Sequence, residues 1–534
     1  MINRRTDYGI VILGIVFSFM FIAVMTNYFM LAAKPEYTQE NLRQQEITIN
    51  VSTEEGMIYD RYMQPLVNRE SIYKAVAVPQ LVDAEKLSEY AVDTESFLEE
   101  FNKGEPFIFE CSEKLDDSQG ITVFEVPVRY DDQQLAIHTV GYTSQGSGVT
   151  GIEYAYDKIL RGNYGENSVT YSADGFGNIL LGVEKSVSYS DNTKCGVAVT
   201  IDSDIQKICQ DAGKQIKSGA IIVSQVNTGD ILAMASFPEY SLDDLETAVN
   251  DKSSPMINRC LYSYSVGSIF KLVTACEAIQ ERYSGYMYNC EGNIGVNGKK
   301  FKCHKLEGHG IQSMTDAMVN SCNTYFIDIS QLLSIASLRE TAFELGFGRE
   351  IHLCAGITAS AGVLPSVKDL KIPAELANFS FGQGKLTASP MQISQLTCAI
   401  ANGGKMPVMR LIRGLTENGE KVENEKAPQY SYSMEAETAE ALKDMMIAAV
   451  EKNENSNARP HYTTAAAKTS TAQTGQYDEN GNEKCNAWIT GFFPADNPRF
   501  AVTVLVEDGG YGNDSAAPVF RKIADNITKL AEKD

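Results

Sequence analysis

The chain has 534 residues, 43% of them apolar and 22% charged, with a formal net charge of −23. That length exceeds one ordinary core and the balance excludes a disordered chain, so more than one folded domain is expected. So acidic a surface repels phosphate backbones, which excludes nucleic acid as a partner.

In chain order, Arg4, Arg5 and Asp7 precede an uncharged run from Gly9 to Ala33, about 25 residues and enough to span a bilayer. The run exceeds the roughly 7–15 apolar residues of a cleaved signal, so an uncleaved transmembrane anchor over 9–33 is expected. Two arginines before it, against only Lys34 and Arg43 closely after, predict a cytoplasmic tail (1–8) and an extracytoplasmic remainder. Residues 37–55 are polar and rich in Gln and Glu, which reads as a helical or extended stalk. Short alternating runs such as ITVFEVPVRY (121–130) mixed with helical stretches such as DAEKLSEYAV (83–92) make 34–195 an α+β stalk and pedestal.

From residue 196 a second domain is expected, running to 534. GAIIVSQVNTGDILAMASF (219–237) is two apolar runs about an Asn-Thr-Gly-Asp turn, a hairpin signal. CNAWITGFFP and RFAVTVLVED read as buried strands, and APVFRKIADNITKL as a closing amphipathic helix with Pro518 in its first turn. Strands at both ends with helical patterns between them predict one sheet with helices on its faces.

Three segments of this domain carry chemistry. In YSVGSIFKLV, Ser268 and Lys271 are three apart, so a helix begun at Gly267 puts hydroxyl and amine on one face. Ser-Lys is a known substitute for Ser-His, provided the lysine is kept neutral by burial or a nearby cation. A helix start also aims backbone N–H groups at a developing oxyanion. The pattern alone is weak: Ser71-Ile72-Tyr73-Lys74 repeats it in YKAVAVP, a predicted strand, where i and i+3 point to opposite faces. In MVNSCNTYF, Ser321 offers a proton relay and Asn323 a carboxamide. In TTAAAKTSTAQTG, an edge strand would pair with an extended peptide while Lys468 and the threonine hydroxyls meet a carboxylate.

Taken together and in this order, SIFK, SCN and KTST resemble the motif set of penicillin-recognising serine acyltransferases. More narrowly, the chain resembles a class B penicillin-binding protein, the membrane-anchored peptidoglycan D,D-transpeptidase type, over most of its length. EEGMIYDRYMQPLV (54–67), HTVGY with GVTGIEYAYDKILRG (138–162), FGQGKLTASPMQIS and AWITGFFP continue the resemblance. No glycosyltransferase-like segment precedes the pedestal, unlike the bifunctional class A type.

The resemblance implies an α+β multidomain chain: anchor, pedestal, and a transpeptidase domain with an antiparallel sheet flanked by helices plus a helical subdomain. It implies Ser268 as nucleophile, Lys271 as its base, Ser321 as proton shuttle and Asn323 as holder of the donor amide. Lys468 would tune the site, and Thr469, Ser470 and Thr471 would line the substrate strand. Backbone N–H groups of Ser268 and Thr471 would form the oxyanion hole. Implied partners are D-Ala-D-Ala stem peptides, an acceptor amine, β-lactams as inhibitors, the membrane and an integral-membrane glycosyltransferase. A β-lactamase, a penicillin-sensing receptor or an inactive scaffold would share much of the pattern. The chain departs from the family at Ser470, where glycine is usual, at Glu55, where arginine is usual, and at Val266, often proline.

No cofactor or metal is expected. Cys290, Cys303, His304 and His309 lack both C-x-x-C and a regular H-x-x-x-H, so they read as a surface hairpin whose two cysteines can face each other and pair. Cys322 reads as a packing residue. GQGK (382–385) lacks phosphate-loop spacing, and no histidine adjoins the serine motifs.

Overall fold

The computed structural model describes residues 4–32, 46–162, 165–174, 179–180, 183–190 and 194–532. Helix α1 (Arg4–Ala32) contains the apolar run as far as Ala32, and the 24 residues Tyr8–Leu31 are exposed all along. Among the described residues it is the one helix long and apolar enough to cross a membrane. Residues 37–45 of the expected stalk lie outside the described residues, and Glu46–Glu54 is a strand.

The rest divides into two compact units. One comprises the chain up to Glu54 with Ser71–Pro127 and Tyr164–Asp191; the other comprises Glu55–Glu70, Val128–Asn163 and Asn192–Asp534.

In the first unit, strands Phe107–Cys111, Glu70–Ala77 and Ile121–Val128 form one sheet in that order. The strict alternation of FIFEC buries Phe107, Phe109 and Cys111. Phe97 of the helix Thr94–Asn102 meets the two phenyl rings edge-on at 5.3 and 4.9 Å. Asp93 caps that helix by accepting from the backbone N–H groups of Glu95 and Ser96. Strands Glu46–Glu54, Gly165–Ser172 and Ser186–Ser188 form a second sheet.

The second unit is built on five antiparallel strands. In chain order these are β1 (Gly219–Gln225), β2 (Ile231–Phe237), β3 (Ala466–Tyr477), β4 (Glu483–Phe493) and β5 (Phe500–Val506). Their spatial order is β2-β1-β5-β4-β3, which leaves β3 at an edge as expected. The hairpin β1–β2 turns at the expected place: Gly229 takes φ 74°, and Gln225 N–H donates to Asp230 O at 2.8 Å.

The strands are apolar on both faces because each face is covered. Ile221 and Val223 pack with Ile205 and Cys209 of helix α2 (Ser203–Gly213) and with Phe520, Ile523 and Ile527 of helix α7 (Ala517–Ala531). The i, i+3, i+7 spacing in α7 supplies that stripe. Ala220 and Ile222 face the opposite way, toward helices α3 (Lys271–Gln280) and α6 (Pro390–Ala401). Helices α4 (Met314–Val319) and α5 (Asn323–Ser330) lie between α3 and α6 in the chain. Hydroxyls pin α6 to the sheet, with Ser394 and Ser224 oxygens 2.9 Å apart and those of Thr397 and Thr490 2.6 Å apart. Each satisfies a buried group that would otherwise cost about 1–3 kcal/mol.

The YDRY stretch belongs to this unit. Met57–Tyr59 pairs in parallel with Gly196–Val199, which pairs in turn with Ile412–Thr416. Buried Asp60 accepts from the N–H groups of Tyr62 and Gln64, both at 2.8 Å, and from the Ser203 hydroxyl at 2.7 Å. Glu55, in the place of the usual arginine, lies 3.8 Å from Arg129, whose guanidinium also grips Glu153 at 2.7 Å.

Candidate active site

The site is built where α3 begins. Gly267 sits at φ 62°, and its N–H donates to Gly382 O at 2.8 Å. A Cβ there would stand 2.4 Å from Ser470 Oγ, so only glycine fits. A 3-10 turn, Gly267–Phe270, carries Ser268 before the α-helix proper starts at Lys271. Phe270 anchors that turn against Phe347 and Phe379, at ring distances of 5.2 and 4.6 Å. Such burial stabilises by roughly 1.5–3 kcal/mol. Ser268 stays half-exposed, and its hydroxyl has no hydrogen-bond partner among the described residues.

Lys271 is fully buried, so it is not the solvated lysine of an ordinary helix start. Its Nζ donates to Ser321 O at 2.6 Å, Ser321 Oγ at 3.2 Å and Asn323 Oδ1 at 2.7 Å. These acceptors are presented by the link between α4 and α5, where Ser321 takes the left-handed conformation, φ 48°, and Asn323 opens α5. Lys468, 2% exposed on β3, donates to Ser321 Oγ at 3.1 Å and to Thr469 O at 2.9 Å. One hydroxyl therefore bridges two amines and keeps its own proton to give.

Burial, and then the charge of Lys468, hold the Lys271 ammonium well below the ordinary lysine range. Burial lowers Lys468 to about 8. Two buried amines around one hydroxyl form a base with a relay, which is what acyl transfer from a serine requires.

Alternation along β3 puts Lys468 and Ser470 on the face toward α3, and Thr469 and Thr471 on the other. Thr471 Oγ1 accepts from Gly512 N–H at 3.2 Å, which leaves its proton free to donate. Ser470, 3% exposed, turns into the protein and donates to Val266 O at 2.8 Å. It thereby ties the edge strand to the turn that carries Ser268. Trp488 is fully buried, and its indole N–H donates to Ser265 O at 3.0 Å, a second tie to the same segment. An open cleft beside Lys468 is lined by Ser321, Thr469, His304, His309 and Asn513.

The cysteines depart from the sequence reading. Every cysteine is free, so Cys290 and Cys303 are not bonded. Cys290, Cys303 and His309 converge as a group, but the fourth member is Cys322 of the SCN segment and not His304. Sequence spacing missed this because the four residues meet only after the segment from 288 to 312 folds onto the start of α5. The presence of Cys322 beside the Ser321 motif was the signal available.

Residues 219–525 match the family model "Penicillin binding protein transpeptidase domain", and residues 51–193 the "Penicillin-binding Protein dimerisation domain". The chain is a class B penicillin-binding protein. It is 27% identical over 419 residues to peptidoglycan D,D-transpeptidase MrdA of Acinetobacter baumannii, covering 70% of this chain and 60% of that relative's length. Among solved structures it resembles one titled "Structural coordination of polymerization and crosslinking by a peptidoglycan synthase complex" (TM-score 0.70, 20% identity, 98% of both chains). It also resembles the ceftriaxone acyl-enzyme complex of penicillin-binding protein A from M. tuberculosis (TM-score 0.63, 22% identity, 78% of this chain and 95% of that one). At these identities the two structures establish the fold of this penicillin-binding protein, α+β with an antiparallel sheet flanked by helices, as the sequence predicted.

Proposed function

We propose that this penicillin-binding protein is a peptidoglycan D,D-transpeptidase. The observation that carries the reading is the convergence of Lys271, Ser321, Asn323 and Lys468 within hydrogen-bond distance, one helical turn from Ser268. Lys271 as free base takes the Ser268 Oγ proton while the oxygen attacks the penultimate D-Ala carbonyl. Backbone N–H groups of Ser268 and Thr471 receive the oxyanion. As the C–N bond breaks, Ser321 passes a proton to the leaving D-Ala amine, and Asn323 holds the donor amide. Thr469 and Thr471 meet the terminal carboxylate beside Lys468, with Ser470 shaping the strand. An acceptor amine from a neighbouring stem peptide then attacks the ester, forms the crosslink and returns the proton to Oγ. β-Lactams mimic D-Ala-D-Ala and acylate Ser268.

The tail (1–8) lies in the cytoplasm, the anchor (9–33) crosses the membrane, and the pedestal (34–195) and transpeptidase domain (196–534) work outside it. Arg4 and Arg5, ahead of the uncharged run, support that orientation. An integral-membrane glycosyltransferase is the partner that supplies glycan strands, a reading supported by the synthase complex among the structural relatives.

The full chain in detergent, treated with benzylpenicillin and followed by intact mass, tests this. A single long-lived adduct is expected. Turnover that restores the free protein within minutes would make it a β-lactamase, and no adduct would make it a scaffold.

A further inference from the structure

We propose that the cleft beside Lys468 is the subsite for the acceptor of the crosslinking step, and that it takes an amine whose own carbon carries a carboxylate. The inference rests on the transpeptidase reading and adds to it the chemical class of the acceptor.

The cleft, of about 520 Å³, is lined by Ser321, Lys468 and Thr469, whereas Ser268 is not among its lining residues. In the proposed reaction those three groups serve the leaving half of the donor. Ser321 gives the proton to the departing amine, and Lys468 with Thr469 meets its carboxylate. The cleft therefore opens on the leaving-group side of the scissile bond. Deacylation by an amine is acylation run backwards with a different amine, so the same groups act in reverse. The acceptor nitrogen bonds to the acyl carbon as the ester C–O bond breaks, and the proton it sheds passes through Ser321 and Lys271 to Ser268 Oγ. The departing D-Ala carries amine and carboxylate on one carbon. An acceptor of the same form meets the same Lys468 and Thr469, while a bare primary amine leaves them unpaired.

The charge of the walls points the same way. Histidines aside, the charged lining is Lys305, Lys452 and Lys468 against Glu454 alone, in a chain whose net charge is −23. Lys305, Lys452 and Glu454 are in no ion pair among the described residues. A surplus of cations in a cleft draws in the acceptor that carries one carboxylate more.

The far wall is firmly built. Lys452 ends the helix Ala436–Glu451, and the turn after it is clamped to Asn513. Asn457 donates its backbone N–H to Asn513 Oδ1 and its side-chain amide to Asn513 O, both at 3.0 Å, and Asn513 Nδ2 donates to Asn455 O at 3.0 Å. Asn513 follows Gly512, whose N–H donates to Thr471 Oγ1. One short segment thereby holds this wall against the substrate strand.

The full chain in detergent, given an acyl-D-Ala thioester as donor, forms the acyl-enzyme without releasing a competing amine. Two acceptors that differ by one carboxylate then compete with water. In Nα-acetyl-diaminopimelate the free amine shares its carbon with a carboxylate, and in Nα-acetyl-lysine it does not. Amide product per free amine, read by mass spectrometry, is expected to be at least about tenfold higher with the first. Lys452→Glu is expected to cut that preference at least about threefold, with thioester consumed at the wild-type rate. Equal yields from the two acceptors, a preference for Nα-acetyl-lysine, or an unchanged preference in Lys452→Glu would overturn the subsite. So would hydrolysis alone with both acceptors while thioester is still consumed. No consumption of thioester at all would instead remove the transpeptidase reading, and the subsite with it.

Discussion

Ser-x-x-Lys occurs in both compact units, and the two copies fold differently. Ser71 and Lys74 lie on the strand Glu70–Ala77, where Lys74 stands opposite Glu110 on the neighbouring strand and the serine points to the other face. Ser268 and Lys271 lie on a 3-10 turn running into a helix, with the lysine fully buried and a second lysine brought up by an edge strand. The tetrapeptide is therefore not the active element. What differs is a left-handed glycine ahead of the serine, three acceptors for the amine, and Lys468 across one hydroxyl.

The largest effect separates the two copies outright. Ser268→Ala is expected to abolish covalent labelling by fluorescent penicillin, whereas Ser71→Ala labels as wild type; equal loss in both would break the comparison. Next, Lys271→Ala should slow acylation by about 10²–10⁴-fold with Ser268 intact, measured by stopped flow. pH sharpens the role of the second lysine. Its amine titrates at about 8, so its charge is full below that and lost above it. Acylation should accordingly fall as pH rises through about 8, and a rate flat to pH 10 would remove Lys468 from the electrostatics.

Smaller effects probe the frame. Gly267→Ala forces a side chain into the left-handed region, costing about 1–2 kcal/mol, and adds the clash with Ser470 Oγ. Thermal unfolding reads the loss, and pairing the change with Ser470→Gly should return part of it. The smallest expected effect is Ser470→Gly alone. Removing the donor to Val266 O costs about 1 kcal/mol in stability, with less than about tenfold change in acylation. A larger loss of rate would mean that the hydroxyl touches substrate.

Much of this was legible in the chain. The hairpin at Gly229, the closing helix with its Phe520-Ile523-Ile527 stripe and the edge position of β3 follow from local periodicity and turn chemistry. The three motifs were legible because each is short and contiguous. What periodicity does not carry is side-chain direction at a departure from pattern. Ser470 reads in sequence as a residue lining the substrate strand, yet its hydroxyl points inward to Val266 O. Nor does it carry convergence across long loops. Cys322 reads as packing until the segment from 288 to 312 folds against it, and the YDRY stretch groups with the catalytic unit only through strand pairing with Gly196–Val199.

The central claim is that Ser268 is the nucleophile and Lys271 its base. Proteolysis of the benzylpenicillin adduct followed by peptide mass spectrometry tests it most directly. The penicilloyl group is expected on the peptide carrying Ser268 and on no other. A penicilloyl group on Ser321 or any other residue, with Ser268 unmodified, would contradict the account.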